Sequence, residues 1–345
     1  MTFDPDAPAG ADSGIYGLPH SPEDAQVILV PVPWDATTSY RAGTAAGPAA
    51  IRRASRQVDL HDIETGSPYE VGIHMLDEDE RIRRLATAAR AAAEPVIEAA
   101  SGPLDDELRE AQERVNSLGG ELNRWVQTEV ARWLDAGKLV GVVGGDHSVP
   151  FGAIQAIAAH HGEIGVLHLD AHADLRDAYE GFTWSHASIM HNVMTRIPAV
   201  SRLVQVGIRD VGAAEVAFIR DAGGRIVTHF EAGLAALRFS GETFADQCAR
   251  IVADLPSKVY LSWDIDGLDP VYCPHTGTPV PGGWTFAQAC YLLRVLGESG
   301  RRIVGFDLNE VAPGADEGDE WDGNVGARLL YKMIGWAGRT NPSGS

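Results

Sequence analysis

The chain has 345 residues, 45% of them hydrophobic and 22% charged, with a formal net charge of -20. That composition can bury a large core and is not that of a disordered chain. The acidic balance excludes nucleic acid as a partner, because neutralising phosphates needs clustered Lys and Arg, and leaves small cations and metal ions open.

Three sparse cysteines, Cys248, Cys273 and Cys290, form neither a disulfide framework nor a zinc ribbon, so a reducing, cytoplasmic setting is expected. Residues 1–25, rich in Pro, Gly, Ala and Asp, read as a flexible arm with no basic or apolar leader. A single domain is expected over residues 26–340. Its first strand is "VILVPVPW" (27–34), and "GPAAIRRAS" (47–55) opens a helix with Pro in its first turn. Residues 79–136 carry long amphipathic helical patterns, with a Ser101 cap and Gly137 as a stop. Strand-like runs follow at 139–145, 164–170, 203–208, 225–229, 258–266 and 302–308, the longest still far too short for a membrane span. Helix-length segments lie near 150–160, 187–196, 212–221, 242–254, 285–297 and 325–337. Continuous apolar strands alternating with helices predict an α/β fold: a three-layer α/β/α sandwich around a mainly parallel sheet. Sites in such folds form at the carboxyl ends of strands.

Three strand ends carry the same cargo. "VVGGDHS" brings Asp146 and His147, "LHLDAHAD" brings Asp170, His172 and Asp174, and "YLSWDIDGLDP" brings Asp264, Asp266 and Asp269. Extended backbone sends residues i, i+2 and i+4 to one side, so 170/172/174 and 264/266 can each converge. One such pair alone is as well explained by helix capping or a turn. Three together are not. Two imidazoles and four carboxylates packed close repel unless cations neutralise them. Six such ligands suit two divalent metals about 3.5–4 Å apart. Oxygen and nitrogen donors without Cys suit Mn, Ni, Co or Fe.

These motifs, with "VPWDATTSYRAGTAAGPAAIR", "GTPVPGG" and "FDLNEVAP", resemble those of the ureohydrolases, the family of arginases, agmatinases and guanidino-acid hydrolases. The resemblance runs from about residue 27 to the last helix. It implies hydrolysis of a guanidino carbon by a hydroxide bridging two metals, releasing urea or a urea derivative. It assigns His147 and Asp174 to one metal and His172 and Asp266 to the other, with Asp170 and Asp264 bridging. Asp174 would also accept a hydrogen bond from the hydroxide, Glu310 would pair with the guanidinium, and His186 would shuttle protons to the leaving amine. His168 is expected to turn away from Asp170 as a packed or hydrogen-bonded core histidine. His160 and His161 look like an exposed helix end.

The departures bear on substrate. Arg176 stands where arginases carry Asn, and Gly212 aligns with an arginase aspartate that recognises the amino group, with Glu215 retained. The amino-acid clamp therefore looks dismantled. "YEGFTWSHAS" is expected to put Tyr179, Phe182 and Trp184 near the mouth, and Trp284 adds bulk at the rim, offering cation–π surface to a compact cation; packing within the loop or at a subunit contact is the competing reading of these rings. The long helical stretch, "TWSHASIM" and "EWDGNVGARLLYKM" resemble the guanidine-hydrolase branch, which is associated with nickel as well as manganese. The expected substrate is guanidine, a small alkyl-guanidine or a biguanide, ahead of agmatine, a guanidino acid and arginine. The resemblance implies a homotrimer or hexamer, possibly with a homologous partner subunit. Two alternatives remain: a mononuclear zinc deacetylase of related architecture, and a subunit of a hetero-oligomer that is inactive alone.

Overall fold

The computed structural model describes residues 3–10, 13–99, 102–316 and 318–341. In chain order its strands and helices are β1 (Val27–Val32), α1 (Gly47–Ala54), β2 (Ile73–Met75), α2 (Glu80–Glu98), α3 (Asp106–Asp135), β3 (Leu139–Gly144), α4 (Phe151–His161), β4 (Ile164–Leu169), α5 (Ile189–Arg196), β5 (Val200–Val206), α6 (Ala213–Asp221), β6 (Ile226–His229), α7 (Glu231–Phe239), α8 (Phe244–Ala253), β7 (Lys258–Asp264), α9 (Phe286–Glu298), β8 (Arg302–Asn309) and α10 (Trp321–Thr340). The strands form one sheet in the order β2-β1-β3-β8-β7-β4-β5-β6, and each neighbouring pair is parallel.

Alternation along the strands divides the core between the two sheet faces. Val27 and Leu29 join Leu261, Phe306 and α9–α10 on one side. Ile28, Val30 and Val32 join Val142, Val166 and α3–α5 on the other. Strands buried on both faces need the continuous apolar runs seen in the sequence. The sheet order places β3, β8, β7 and β4 side by side at its centre. All three acidic strand ends, and Glu310 after β8, therefore open onto one place.

Two expectations need correction. Within the supposed arm, Ile15, Tyr16 and Leu18 are buried. The Tyr16 hydroxyl donates to Ala327 O at 3.0 Å, so the packed unit begins before residue 26. The helical stretch 79–136 is two helices. Asp79 caps α2 by accepting from Arg81 N and Ile82 N, and Asp105 caps α3 by accepting from Leu108 N. The Ser101 cap lies outside the described residues. The short β2 and helix α7 had no sequence expectation. No helix among the described residues is long and apolar enough to cross a membrane.

Candidate active site

His147 follows β3 and is almost fully buried. Its Nδ1 faces carboxylate oxygens of Asp170 (3.0 Å), Asp264 (3.4 Å) and Asp174 (3.5 Å). Its Nε2 lies 2.9 Å from Ser262 Oγ, which donates to Asp307 Oδ1 at 3.1 Å. One nitrogen is thus anchored in the core and the other is presented to the carboxylates, the orientation a metal-binding imidazole needs.

Asp170, at the end of β4, links two groups. Its Oδ2 meets His147, and its Oδ1 lies 3.4 Å from His172 Nδ1. His172 Nδ1 is also 3.1 Å from Asp266 Oδ2. Asp266 and Asp264 are held by backbone donors: Ala171 N reaches Asp266 Oδ1 (3.0 Å) and Asp266 N reaches Asp264 Oδ1 (2.8 Å). Asp174 has the positive φ of 53°, which Asp tolerates better than most residues. Its carbonyl accepts from Met190 N and His191 N, tying it to the start of α5. The potential ligand atoms of His147, His168, Asp170 and Asp174 lie within 4.8 Å of one another, as do those of Asp170, His172 and Asp266. Asp170 belongs to both sets.

His168 corrects the sequence reading. Residues two apart along a strand share a side, and His168 Nε2 lies 2.9 Å from Asp170 Oδ2. Thr228 Oγ1 donates to Gln205 Oε1 (2.8 Å), which turns Gln205 Nε2 to donate to His168 Nδ1 (3.0 Å). The proton of neutral His168 then sits on Nε2 and is donated to Asp170. His168 is buried as expected, but it orients Asp170 rather than facing away. Ser262, Asp307, Gln205 and Thr228 had no expected role. Their signal was polarity inside otherwise apolar strands, since a buried polar group needs a partner.

The electrostatics follow from crowding. Burial raises the carboxyls of Asp174, Asp264 and Glu310, and neighbouring carboxylates raise them further. Burial also opposes ionisation of Asp170, but His168, His147 and His172 outweigh it and hold this carboxyl well below the usual range. For His147, burial is overcome by Asp170, Asp174 and Asp307, which push the imidazole up to about 10. Metal binding must displace that proton. Metal uptake is therefore expected to release protons and to tighten as pH rises. Calorimetric titration at several pH values, in buffers of different ionisation enthalpy, checks this; pH-independent affinity would contradict it.

Glu310 has φ 63° and is 3% exposed. Its Oε1 accepts from His147 N at 2.9 Å, while its buried Oε2 has no partner. A side chain on Gly277 would come within 3.1 Å of that oxygen, so Gly277 keeps the approach clear. The adjoining cleft is about 190 Å³ and is lined by His172, Asp174, Arg176, Tyr179, His186 and Glu215 among others. His186 Nδ1 lies 3.3 Å from Thr37 Oγ1. Burial and the nearby His172 lower His186 to about 4, which keeps it neutral near pH 7.

Arg176 lies at the rim with its guanidinium 5.0 Å from the Tyr179 ring centroid and 3.9 Å from Glu215. Gly212 begins α6, and its N–H donates to Glu215 Oε2 at 2.7 Å. Glu215 Oε1 accepts from Leu175 N at 2.9 Å, so this acid is already engaged by the protein. Three of the expected mouth aromatics are elsewhere. Trp184 packs on Gly119 and on Phe151, with ring centroids 5.0 Å apart. Phe182 is fully buried against α2 and α3. Trp284 is 2% exposed, and its Nε1 donates to Glu231 Oε2 at 2.9 Å. Large rings gain more from burial than from standing at a wet rim; only Tyr179 lines the cleft.

The arginase family model matches residues 25–335. The chain is 33% identical over 327 residues to the N(1)-aminopropylagmatine ureohydrolase of Thermus thermophilus, covering 94% of each chain. It is 32% identical to the guanidinobutyrase of Pseudomonas aeruginosa, covering 94% of this chain and 92% of the relative. Among solved structures, proclavaminate amidino hydrolase from Streptomyces clavuligerus superposes with a TM-score of 0.73 at 25% identity, covering 97% of this chain and all of the other. With that coverage and the acidic strand ends gathered at the centre of the sheet, the chain belongs to the arginase family.

Proposed function

We propose that this chain, a ureohydrolase of the arginase family, hydrolyses a compact guanidino compound at a dinuclear metal centre. The observation that carries the reading is Asp170, shared between two buried His/Asp sets, beside a buried carboxylate oxygen of Glu310 with no partner. His147, Asp174, Asp170, Asp264, His172 and Asp266 would hold two ions, Mn²⁺ or Ni²⁺ on their oxygen and nitrogen donors. When bound, the ions offset the carboxylates and acidify the water that becomes the nucleophile.

This chain's residues would do the rest. Glu310 Oε2 accepts N–H groups of the guanidinium and fixes the plane of its carbon. Asp174 accepts the hydrogen bond of the attacking oxygen. His186, neutral at rest, takes up a proton and passes it to the departing amine. Guanidine, an alkyl-guanidine or a biguanide suits the small cleft, and the rim cation Arg176 disfavours the second positive charge of agmatine. Gly212 offers no acid for an amino group, which ranks arginine lower. Arg176 also supports a second reading, a guanidino acid whose carboxylate it would receive, the substrate class in the name of the guanidinobutyrase relative. We also propose a homo-oligomer, trimer or hexamer, active without a second subunit.

The test is hydrolysis by the purified chain, expressed alone and loaded with Mn or Ni separately, of guanidine, dimethylbiguanide, guanidinobutyrate, agmatine and arginine, with metal stoichiometry measured. Two ions per chain and preference for the compact guanidines are expected. Preference for guanidinobutyrate selects the second reading, and fast turnover of arginine alone overturns both. One zinc per chain would restore the mononuclear alternative, and inactivity without a co-expressed partner the hetero-oligomer.

A further inference from the structure

The two rings expected at the mouth are anchors, and what they anchor is the loop that carries Tyr179 and leads to His186. Tyr179 and Phe182 exchange backbone hydrogen bonds of 3.3 and 2.9 Å. Between them Glu180 (φ 53°) and Gly181 (φ 79°) are both left-handed, a two-residue hairpin turn. Phe182 inserts into an apolar cluster of its own, with Ala93 and Val96 of α2 and Val115 of α3.

Beside this plug, α3 grips the turn's backbone. Gln112 Nε2 donates to Glu180 O at 2.9 Å. Asn116 Nδ2 donates to Gly181 O at 3.1 Å, and its Oδ1 accepts from Thr183 N at 2.7 Å. Gln112 and Asn116 are one helical turn apart, on one face. A side chain on Gly181 would collide with Gln112, so the grip is close. The other segment touching His186 is pinned by the same helical pair. Arg90 of α2 donates to Thr38 O at 2.6 Å, and the adjacent Thr37 Oγ1 lies 3.3 Å from His186 Nδ1. The Tyr179 ring stands edge-on to His186, with centroids 6.0 Å apart.

We propose that the α2–α3 pair is a clamp that fixes Tyr179 and His186 at the cleft and so selects compact guanidines, with Phe182, Gln112 and Asn116 as positioning residues. The selectivity half rests on the ureohydrolase reading. Two backbone carbonyls and one N–H of the loop are held from outside it, so the turn cannot swing away without breaking buried bonds and withdrawing Phe182. The cleft therefore keeps its width, and a long tail has to displace the turn to enter. Misplacing an aligned group by about 1 Å can cost on the order of 100-fold in rate.

The test uses the full, metal-loaded chain and the variants Phe182→Ala, Phe182→Leu, Gln112→Ala and Asn116→Ala. Two readouts are taken: hydrogen exchange of amides 178–188, and kcat/KM for guanidine and agmatine. In Phe182→Ala and Asn116→Ala, exchange of those amides should accelerate about tenfold or more while exchange in β4 and β7 stays unchanged. The guanidine-to-agmatine ratio of kcat/KM should fall at least about fivefold. Phe182→Leu, which keeps an apolar plug, should stay near the wild type. A purely structural role would lower both substrates equally. Unchanged exchange, or a ratio within about twofold of wild type, overturns the clamp. If Phe182→Ala does not fold, Asn116→Ala and Gln112→Ala, on the outer face of α3, decide it. Should the wild type turn over no guanidino compound, the ureohydrolase reading fails by itself, and the exchange data alone then judge the clamp.

Discussion

Asp170→Asn is expected to lower kcat/KM by at least about 10⁴-fold, roughly 5.5 kcal/mol of transition-state stabilisation, and to reduce bound metal below two ions per chain. The reason is position. Asp170 alone belongs to both ligand sets, with Oδ2 on the His147 side and Oδ1 on the His172 side. The amide cannot bridge two cations, and its NH₂ turns a donor toward one of them. The folded state need not suffer in step. In the metal-free protein the substitution removes a carboxylate whose charge raises its neighbours Asp174 and Asp264. It also weakens the acceptor of His147 and His168, at about 1–3 kcal/mol for a buried group left unsatisfied. These terms oppose each other, so the metal-free Tm should move little while the metal-induced rise in Tm collapses. Metal analysis, kcat/KM and melting with and without chelator check the three parts. Retention of two ions with activity within tenfold of wild type would sink the bridging role.

How far the chain could be read without coordinates follows from what alternation and apolar runs encode. Each acidic cluster could be placed at the end of its strand because the run and the polar burst are both local. Which strands are neighbours is not local. The central order β3-β8-β7-β4 is what brings Glu310 to His147, and only the family resemblance anticipated that pairing. The errors have physical causes too. His168 was misplaced although the period of two already put it beside Asp170. Trp184, Phe182 and Trp284 were expected at the rim because exposure of an aromatic depends on what packs over it, here Gly119, Val115 and Glu231 from distant segments. The chain of donors from Thr228 through Gln205 to His168 spans three strands and leaves no local pattern beyond buried polarity.

Glu310→Gln is expected to cost about 10²–10³-fold in kcat/KM, roughly 3–4 kcal/mol, mostly through the substrate. The side chains are nearly isosteric and the left-handed backbone at 63° is the same cost for both. The amide can keep its oxygen on His147 N, where Oε1 now accepts at 2.9 Å. That choice fixes the other atom. The NH₂ then occupies the place of Oε2, the buried oxygen with no partner in the protein, and points donors at a guanidinium that also carries only donors. A charge-assisted acceptor is replaced by a donor–donor clash in a site where water cannot intervene. Stability should move the other way. Burial and the nearby Asp146 raise the Glu310 carboxyl. A raised folded pKa means that this group's contribution is intact below its unfolded value, near 4.3, and is lost as pH rises above it. Gln does not titrate and removes that loss, so the metal-free variant should melt no lower than wild type at neutral pH, and its advantage should shrink toward pH 4. Parallel measurement of KM, kcat and Tm over that range separates the two effects. A variant with normal KM and a lowered Tm would make Glu310 a structural residue and remove it from the substrate site.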